Sequence, residues 1–230
     1  MFSNFDFDVI RRALPYLFLD GMSFTLTLTA LTACGGLLFG TLIALMRLSG
    51  IRPLGVVATL YVNLMRSLPL VLVIFWFYFL VPYIGQWLTG ASRPVKVGAF
   101  VSSLITFIMF EAAYFSEIMR AGIQSISKGQ PAAAQALGLT YSQTMRYVVL
   151  PQAFRNMLPV LLTQTIVLFQ DTSLVYVLSI SDFLGAASKV AQRDGRLVEM
   201  YLFAALVYFT ISCVASFGVR RLQARIAVVR

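Results

Sequence analysis

The chain has 230 residues, of which 59% are apolar, and a mean hydropathy of +0.84, values that lie outside the soluble range and indicate a polytopic membrane protein. Histidine is absent and both cysteines, Cys34 and Cys213, fall inside apolar runs, which excludes histidine-based catalysis and a Cys/His zinc site. The net charge of +9 comes from bases that flank apolar segments, so it reads as insertion signals and not as a nucleic-acid surface.

Residues 1–19 mix Phe5, Phe7, Ile10, Leu14 and Leu17 with Asp6, Asp8, Arg11 and Arg12, the pattern of a short helix lying in the interface. The acids in front and the lack of a small-residue cleavage site argue against a signal peptide. A first span is expected from about Met22 to Met46, with Gly35, Gly36 and Gly40 allowing a neighbouring helix to approach, and Arg47 and Arg52 closing it. The run from Leu54 to Val81 is divided by Arg66 and Pro69, leaving Leu68 to Val81 as its intramembrane part. Residues 82–96, with Pro82, Gly85, Gly90 and Pro94, read as a turn-rich connection.

The third span is expected from Val97 to Met119. The fourth runs from Pro159, placed in its first turn, to Ile180, and the fifth from Leu197 to Val219. Ser181 to Arg196 is polar enough for an exterior loop and has room for a short helix. Between spans three and four, Lys128 to Pro151 is too polar to cross a bilayer yet rich in helix formers, so it predicts an ordered element on the membrane surface. The architecture is therefore all-α with five transmembrane helices.

The basic residues set an orientation. Arg47, Arg52, Arg66, Arg120, Lys128, Arg146, Arg155, Arg220, Arg221, Arg225 and Arg230 share one face, with no acid outside a span. Arg11, Arg12, Arg93, Lys96, Lys189, Arg193 and Arg196 lie on the other, offset by Asp6, Asp8, Asp20, Asp182, Asp194 and Glu199. The positive-inside rule puts the first face in the cytoplasm, with the N-terminus outside and the C-terminus cytoplasmic.

The segment Lys128 to Pro151 resembles the cytoplasmic coupling segment of ABC-importer permeases: Glu-Ala-Ala, three residues, Gly, nine residues, Ile, one residue, Leu-Pro. Here Ala132-Ala133-Ala134, Gly138, Val148 and Leu150-Pro151 keep every spacing, with Ala132 in place of Glu and Val148 in place of Ile. The literal Glu111-Ala112-Ala113 is a decoy, since Glu117 stands where the glycine belongs and the string sits in an apolar run. Leu14-Pro15-Tyr16, Arg66-Ser67-Leu68-Pro69, Tyr114 to Gly122, Lys128-Gly129-Gln130 and Leu150 to Arg155 extend the likeness to bacterial polar-amino-acid ABC importers over about residues 14–225. The strings Phe110 to Ser127 and Val167 to Ser179 look most like the glutamate/aspartate branch.

The resemblance implies a single permease domain over residues 1–230: an interfacial segment at 1–19, a permease core at 20–225 and the coupling segment at 128–151. It implies a bacterial inner-membrane location, a second permease as hetero- or homodimer, two cytoplasmic ATPase subunits and an extracytoplasmic amino-acid-binding protein. ATP and magnesium belong to the ATPase, in keeping with the absence here of a Gly-x-x-x-x-Gly-Lys-Ser/Thr phosphate loop; this chain is expected to bind no cofactor and to catalyse nothing. Ala133, Ala134 and Leu137 would form the face inserted into an ATPase groove, Gly138 would turn the chain, and Val148 and Leu150 would pack the next helix against it.

Ionisable and polar groups inside a membrane are functional candidates by default. Glu111, Glu117, Arg120 and Arg66 are assigned to structure or gating, with Glu117 and Arg120 spaced as a local ion pair and Arg66 within reach of either carboxylate. Gln164, Gln170, Asp171, Thr172 and Ser173 are the candidates for the solute path, Gln164 and Asp171 sharing a helix face; hydrogen bonding between subunits is the alternative use of this set. The rival function is an ion-coupled secondary transporter with Glu111 and Asp171 as a relay, against which stands the absence of an internal repeat.

Overall fold

The computed structural model describes residues 5–226, so Arg230 and the start of the interfacial segment lie outside the described residues. Among these residues there are helices and no strand. Five helices are long and apolar enough to cross a membrane: α1 (Phe7–Leu48), α3 (Leu70–Thr89), α4 (Ala99–Gln124), α6 (Tyr141–Leu178) and α8 (Leu197–Ile226). Between them stand α2 (Arg52–Ser67), α5 (Gly129–Ala136) and α7 (Phe183–Asp194).

Helix α1 starts earlier than the sequence suggests. The Asp6 carboxylate caps it by accepting from the Asp8 and Val9 amides at 2.9 and 3.3 Å. Pro15, which brings no amide proton, is absorbed by a π-helical stretch at Tyr16–Met22, and the helix then continues without a break to Leu48. The expected break at Pro69 is present: α2 stops at Ser67 and α3 begins at Leu70, with Pro69 extended at φ −61°, ψ 130°.

Two other prolines read as boundaries lie inside helices. Helix α3 runs through Pro82 to Thr89, so the turn-rich connection begins at Gly90, and Pro159 sits well inside α6. Keeping the backbone helical on both sides of a proline loses one hydrogen bond, whereas ending the helix within hydrocarbon would expose several polar groups. Helix α6 begins at Tyr141 because Thr140 and Gln143 form a reciprocal capping box.

The chain divides into two compact units. The first takes in the chain up to Cys34, Leu68–Ile108 and Ile166–Ala215; the second takes in Gly35–Ser67, Met109–Thr165 and the chain from Ser216 on. The core of the first unit gathers Val9, Ala13, Leu17, Met22, Phe169, Met200 and Ala204 around one face of α7: Phe183, Ala186, Ala187, Val190 and Ala191. The short helix allowed for within Ser181 to Arg196 is therefore present, and it differs from the expected exposed loop in being buried along one face. The i, i+3, i+4, i+7, i+8 apolar spacing of those five residues is that of a helix buried on one side.

In the second unit α1 and α4 approach closely. A Cβ on Gly36 would stand 3.1 Å from the Glu111 Cβ and the Phe115 ring, and one on Gly40 would stand 2.9 Å from the Phe115 Cβ. The small residues expected to admit a neighbouring helix do so here, at two positions one helical turn apart.

Candidate functional site

The segment between α4 and α6 is an ordered helix–turn–helix. Helix α5 ends in a Schellman motif: Leu139 N donates to Ala134 O at 3.2 Å, Gly138 N donates to Gln135 O at 2.9 Å, and Gly138 is left-handed at φ +84°. Nothing lies within 4 Å of a Cβ built on Gly138, so backbone conformation and not space selects glycine there. Two residues later the Thr140 capping box starts α6, whose first turns relax into a π-helical stretch at Met145–Val149 and pack against α5.

Burial sorts the side chains of this segment. Ala132 and Ala133 are exposed, and Leu137 is 82% exposed beside Tyr141 at 73%. Ala134 is 5% exposed and turned inward, which removes it from the face expected to enter a partner and makes it part of the support beneath that face. The residue of α6 that closes the packing is Val149, buried at 4%, and not the neighbouring Val148 and Leu150. Val148 is half-buried and Leu150 is 44% exposed, because the π-helical stretch alters the register that ideal helical spacing assumes. Pro151 is exposed at the start of the regular part of α6. Gln152 ties the two helices by donating to Val148 O at 2.9 Å and to Gln130 Oε1 at 3.4 Å.

The second unit also holds two polar sites, one buried and one partly exposed. The Glu111 side chain is fully buried, and both its oxygens accept from Gln164 Nε2, each at 3.2 Å. Gln164 Nε2 is thereby engaged by a carboxylate of α4, which ties this solute-path candidate to the buried Glu111. Glu117 is shared by three guanidiniums: Arg47 and Arg120 hydrogen-bond to it, and Arg66 Nη1 lies 4.0 Å away with its guanidinium 5.5 Å from the centre of the Tyr114 ring. The i, i+3 pair with Arg120 matches the local spacing, and Arg66 reaches Glu117. The sequence marks Arg47 as a span end and a basic-face residue; its partner Glu117 is 70 residues away, and no local pattern announces the pair.

Of the remaining solute-path candidates, all in the first unit, Gln170 donates to Ser212 Oγ at 2.9 Å, and Thr172 is fully buried with its hydroxyl on Phe169 O at 2.7 Å. Ser173 and Asp171 are half-buried, and Asp171 makes no side-chain hydrogen bond or ion pair among the described residues. Asp171 also marks the change from α-helix to the 3₁₀ turns of Thr172–Leu178.

Asp182 was counted only as a charge on one face. It is fully buried at the start of α7, where its carboxylate accepts from the Leu184 and Gly185 amides at 3.1 and 3.0 Å. Burial pushes its pKa up to about 7, against the pull of those amides and of Lys189. Asp followed by an amphipathic run is an N-cap signal, and it was available in the sequence.

Residues 36–228 match the family described as binding-protein-dependent transport system inner membrane component. The chain is 54% identical over 224 residues, covering 97% of its length and 99% of the relative, to the glutamate/aspartate import permease protein GltK of Escherichia coli O6:H1. It is 32% identical to the glutamine transport system permease protein GlnP of Escherichia coli K12, covering 98% of this chain and 99% of that one. A solved amino acid ABC transporter with histidines superposes with a TM-score of 0.86 at 33% identity, over 96% of this chain and 98% of that chain. The five apolar helices and these matches place the chain in one family: it belongs to the inner membrane components of binding-protein-dependent transport systems.

Proposed function

We propose that this chain is the permease subunit of an ATP-driven importer of acidic amino acids, glutamate and aspartate. The observation that carries the reading is the 54% identity over 97% of the chain to a relative named for glutamate/aspartate import, against 32% for one named for glutamine transport. An extracytoplasmic binding protein delivers the solute, a second permease completes the path, and separate cytoplasmic ATPase subunits bind ATP and supply the work. The basic face is cytoplasmic, so α5 meets the ATPase.

The exposed Leu137, flanked by Ala133 and Tyr141 and held from below by Ala134 and Val149, supports α5 as the docking element. A large apolar side chain held in water on a rigid support suits a protein groove. Asp171, half-buried and uncommitted, is the candidate to meet the solute's ammonium group. The ion-coupled alternative loses support because Glu111, one of its two relay groups, is bound by Gln164. Uptake of labelled glutamate by cells carrying the full transporter tests the solute: excess aspartate should abolish it and excess glutamine should not. Competition by glutamine or arginine with none by aspartate would overturn the assignment.

A further inference from the structure

The first unit holds a polar cleft. Its cavity of about 400 Å³ is lined by Asp20, Ser23, Phe24 and Thr27 of α1, by Phe100 in the first turn of α4 and by Ser181, three residues past the end of α6. The four residues of α1 stand at i, i+3, i+4 and i+7, on one helix face, and Asp20 belongs to the π-helical stretch that absorbs Pro15. Phe24 and Phe100 meet edge to face with ring centres 5.4 Å apart and supply the apolar part of the lining.

The cleft carries charge of both signs. Asp20 is exposed, and its carboxylate makes no hydrogen bond or ion pair among the described residues. On the Ser181 side, Ser181 Oγ accepts from Lys189 Nζ at 2.5 Å and from the Tyr16 hydroxyl at 3.5 Å. Lys189 is exposed, and that bond occupies one of its three N–H donors. No carboxylate pairs with Lys189 among the described residues: Asp182, which its charge reaches, is buried and holds the Leu184 and Gly185 amides. A free carboxylate in the lining and an ammonium one hydrogen bond behind it are complementary to a zwitterion.

We propose that this cleft is an outer subsite for the solute, binding an α-amino acid by its backbone zwitterion, the ammonium on Asp20 and the carboxylate on Lys189. The inference rests on the reading of the chain as an amino-acid permease with its N-terminus outside. In that orientation the early part of α1, the start of α4 and the end of α6 all lie on the side from which the solute arrives, and Ser181 follows Asp171 outward along the chain. The zwitterion is common to glutamate, aspartate and glutamine. A different solute would therefore leave the cleft standing, and a failed cleft would leave the solute assignment standing. A phosphatidylethanolamine headgroup offers the same two charges, and the test separates it from a free amino acid.

The test follows thiol labelling of Ser23→Cys in a Cys34→Ser, Cys213→Ser background, in the assembled transporter reconstituted without ATP into phosphatidylcholine liposomes. The Ser23 hydroxyl turns back on its own helix, to Leu19 O and Asp20 O at 2.5 and 3.0 Å, so the substitution leaves both charges in place. A membrane-impermeant maleimide added outside should react. Saturating glutamate or glutamine should each slow that reaction severalfold, and glutarate, which lacks the ammonium, should not. Asp20→Asn and Lys189→Gln should each raise the glutamate concentration for half protection roughly fivefold, the upper range for a solvent-exposed charge pair. Adding phosphatidylethanolamine to the liposomes should leave that concentration unchanged. Absent labelling from outside, protection by glutarate equal to that by glutamate, or unchanged half protection in Asp20→Asn would overturn the proposal. So would slow labelling in phosphatidylethanolamine liposomes with no further effect of glutamate, which would make the headgroup the occupant.

Discussion

Gln164 Nε2 donates to both oxygens of Glu111 at 3.2 Å, joining α6 to α4 inside the second unit. A fully buried carboxylate is tolerable only with such partners, since an unmet polar group in a dry interior costs more than a hydrogen bond returns. Gln164→Leu should therefore destabilise the purified protein by about 2–3 kcal/mol, and Glu111→Gln in the same background should recover part of the loss. Thermal unfolding in detergent reads both; equal stability of Gln164→Leu and wild type would mean the pair holds nothing.

Glu117 serves three arginines of unequal exposure: Arg47 at 11%, Arg120 at 27% and Arg66 at 42%. Removing the carboxylate strands the best buried of them, so Glu117→Gln should cost roughly 1–3 kcal/mol after allowance for its own 22% exposure. Arg66→Gln removes the longest and most exposed contact and should cost under about 1 kcal/mol. A reversed order in chemical unfolding would place the weight of the cluster elsewhere.

The turn after α5 depends on one backbone angle. Gly138→Ala meets no atom but must hold φ near +84°, at about 1–2 kcal/mol. The variant should insert and assemble normally while its uptake rate falls, because the strain loosens the support under Leu137. Unchanged uptake together with unchanged protease resistance of the segment would show that the turn tolerates a side chain.

Asp182 gives the first unit a dependence on pH. Its folded pKa of about 7 exceeds its ordinary 3.8, so the folded state holds the proton more tightly than the unfolded chain does. The stabilisation from this group is complete below about pH 4 and is lost as pH rises through about 7. Wild-type stability should fall across that interval, and Asp182→Asn, which keeps an acceptor for the Leu184 and Gly185 amides, should flatten the curve. Parallel curves for the two proteins would assign the dependence to another group.

The spans, the break at Pro69, the turn at Gly138 and the pair of Glu117 with Arg120 were legible because each rests on near neighbours in sequence. Pro82 and Pro159 misled because a proline is a boundary in water but is absorbed inside a helix in lipid. The burial of helix α7 is readable from the spacing of Phe183, Ala186, Ala187, Val190 and Ala191, but alanine's weak hydrophobic signal leaves only a short helix in a polar loop to be expected. The bonds of Glu111 to Gln164 and of Glu117 to Arg47 join distant parts of the chain, and no spacing rule reaches them. The inward turn of Ala134 beside the outward Ala133 follows from how α5 meets the π-helical start of α6, which residue types alone do not specify.

In the proposed function, Leu137 is the point at which the ATPase grips the membrane domain. The direct measurement is ATP-dependent glutamate uptake into vesicles by the assembled transporter carrying Leu137→Asp, with the amount of assembled permease measured alongside. Normal insertion with uptake reduced at least tenfold is expected, the effect of losing an exposed apolar anchor worth about 2 kcal/mol in a partner's groove. Wild-type uptake by Leu137→Asp would contradict it.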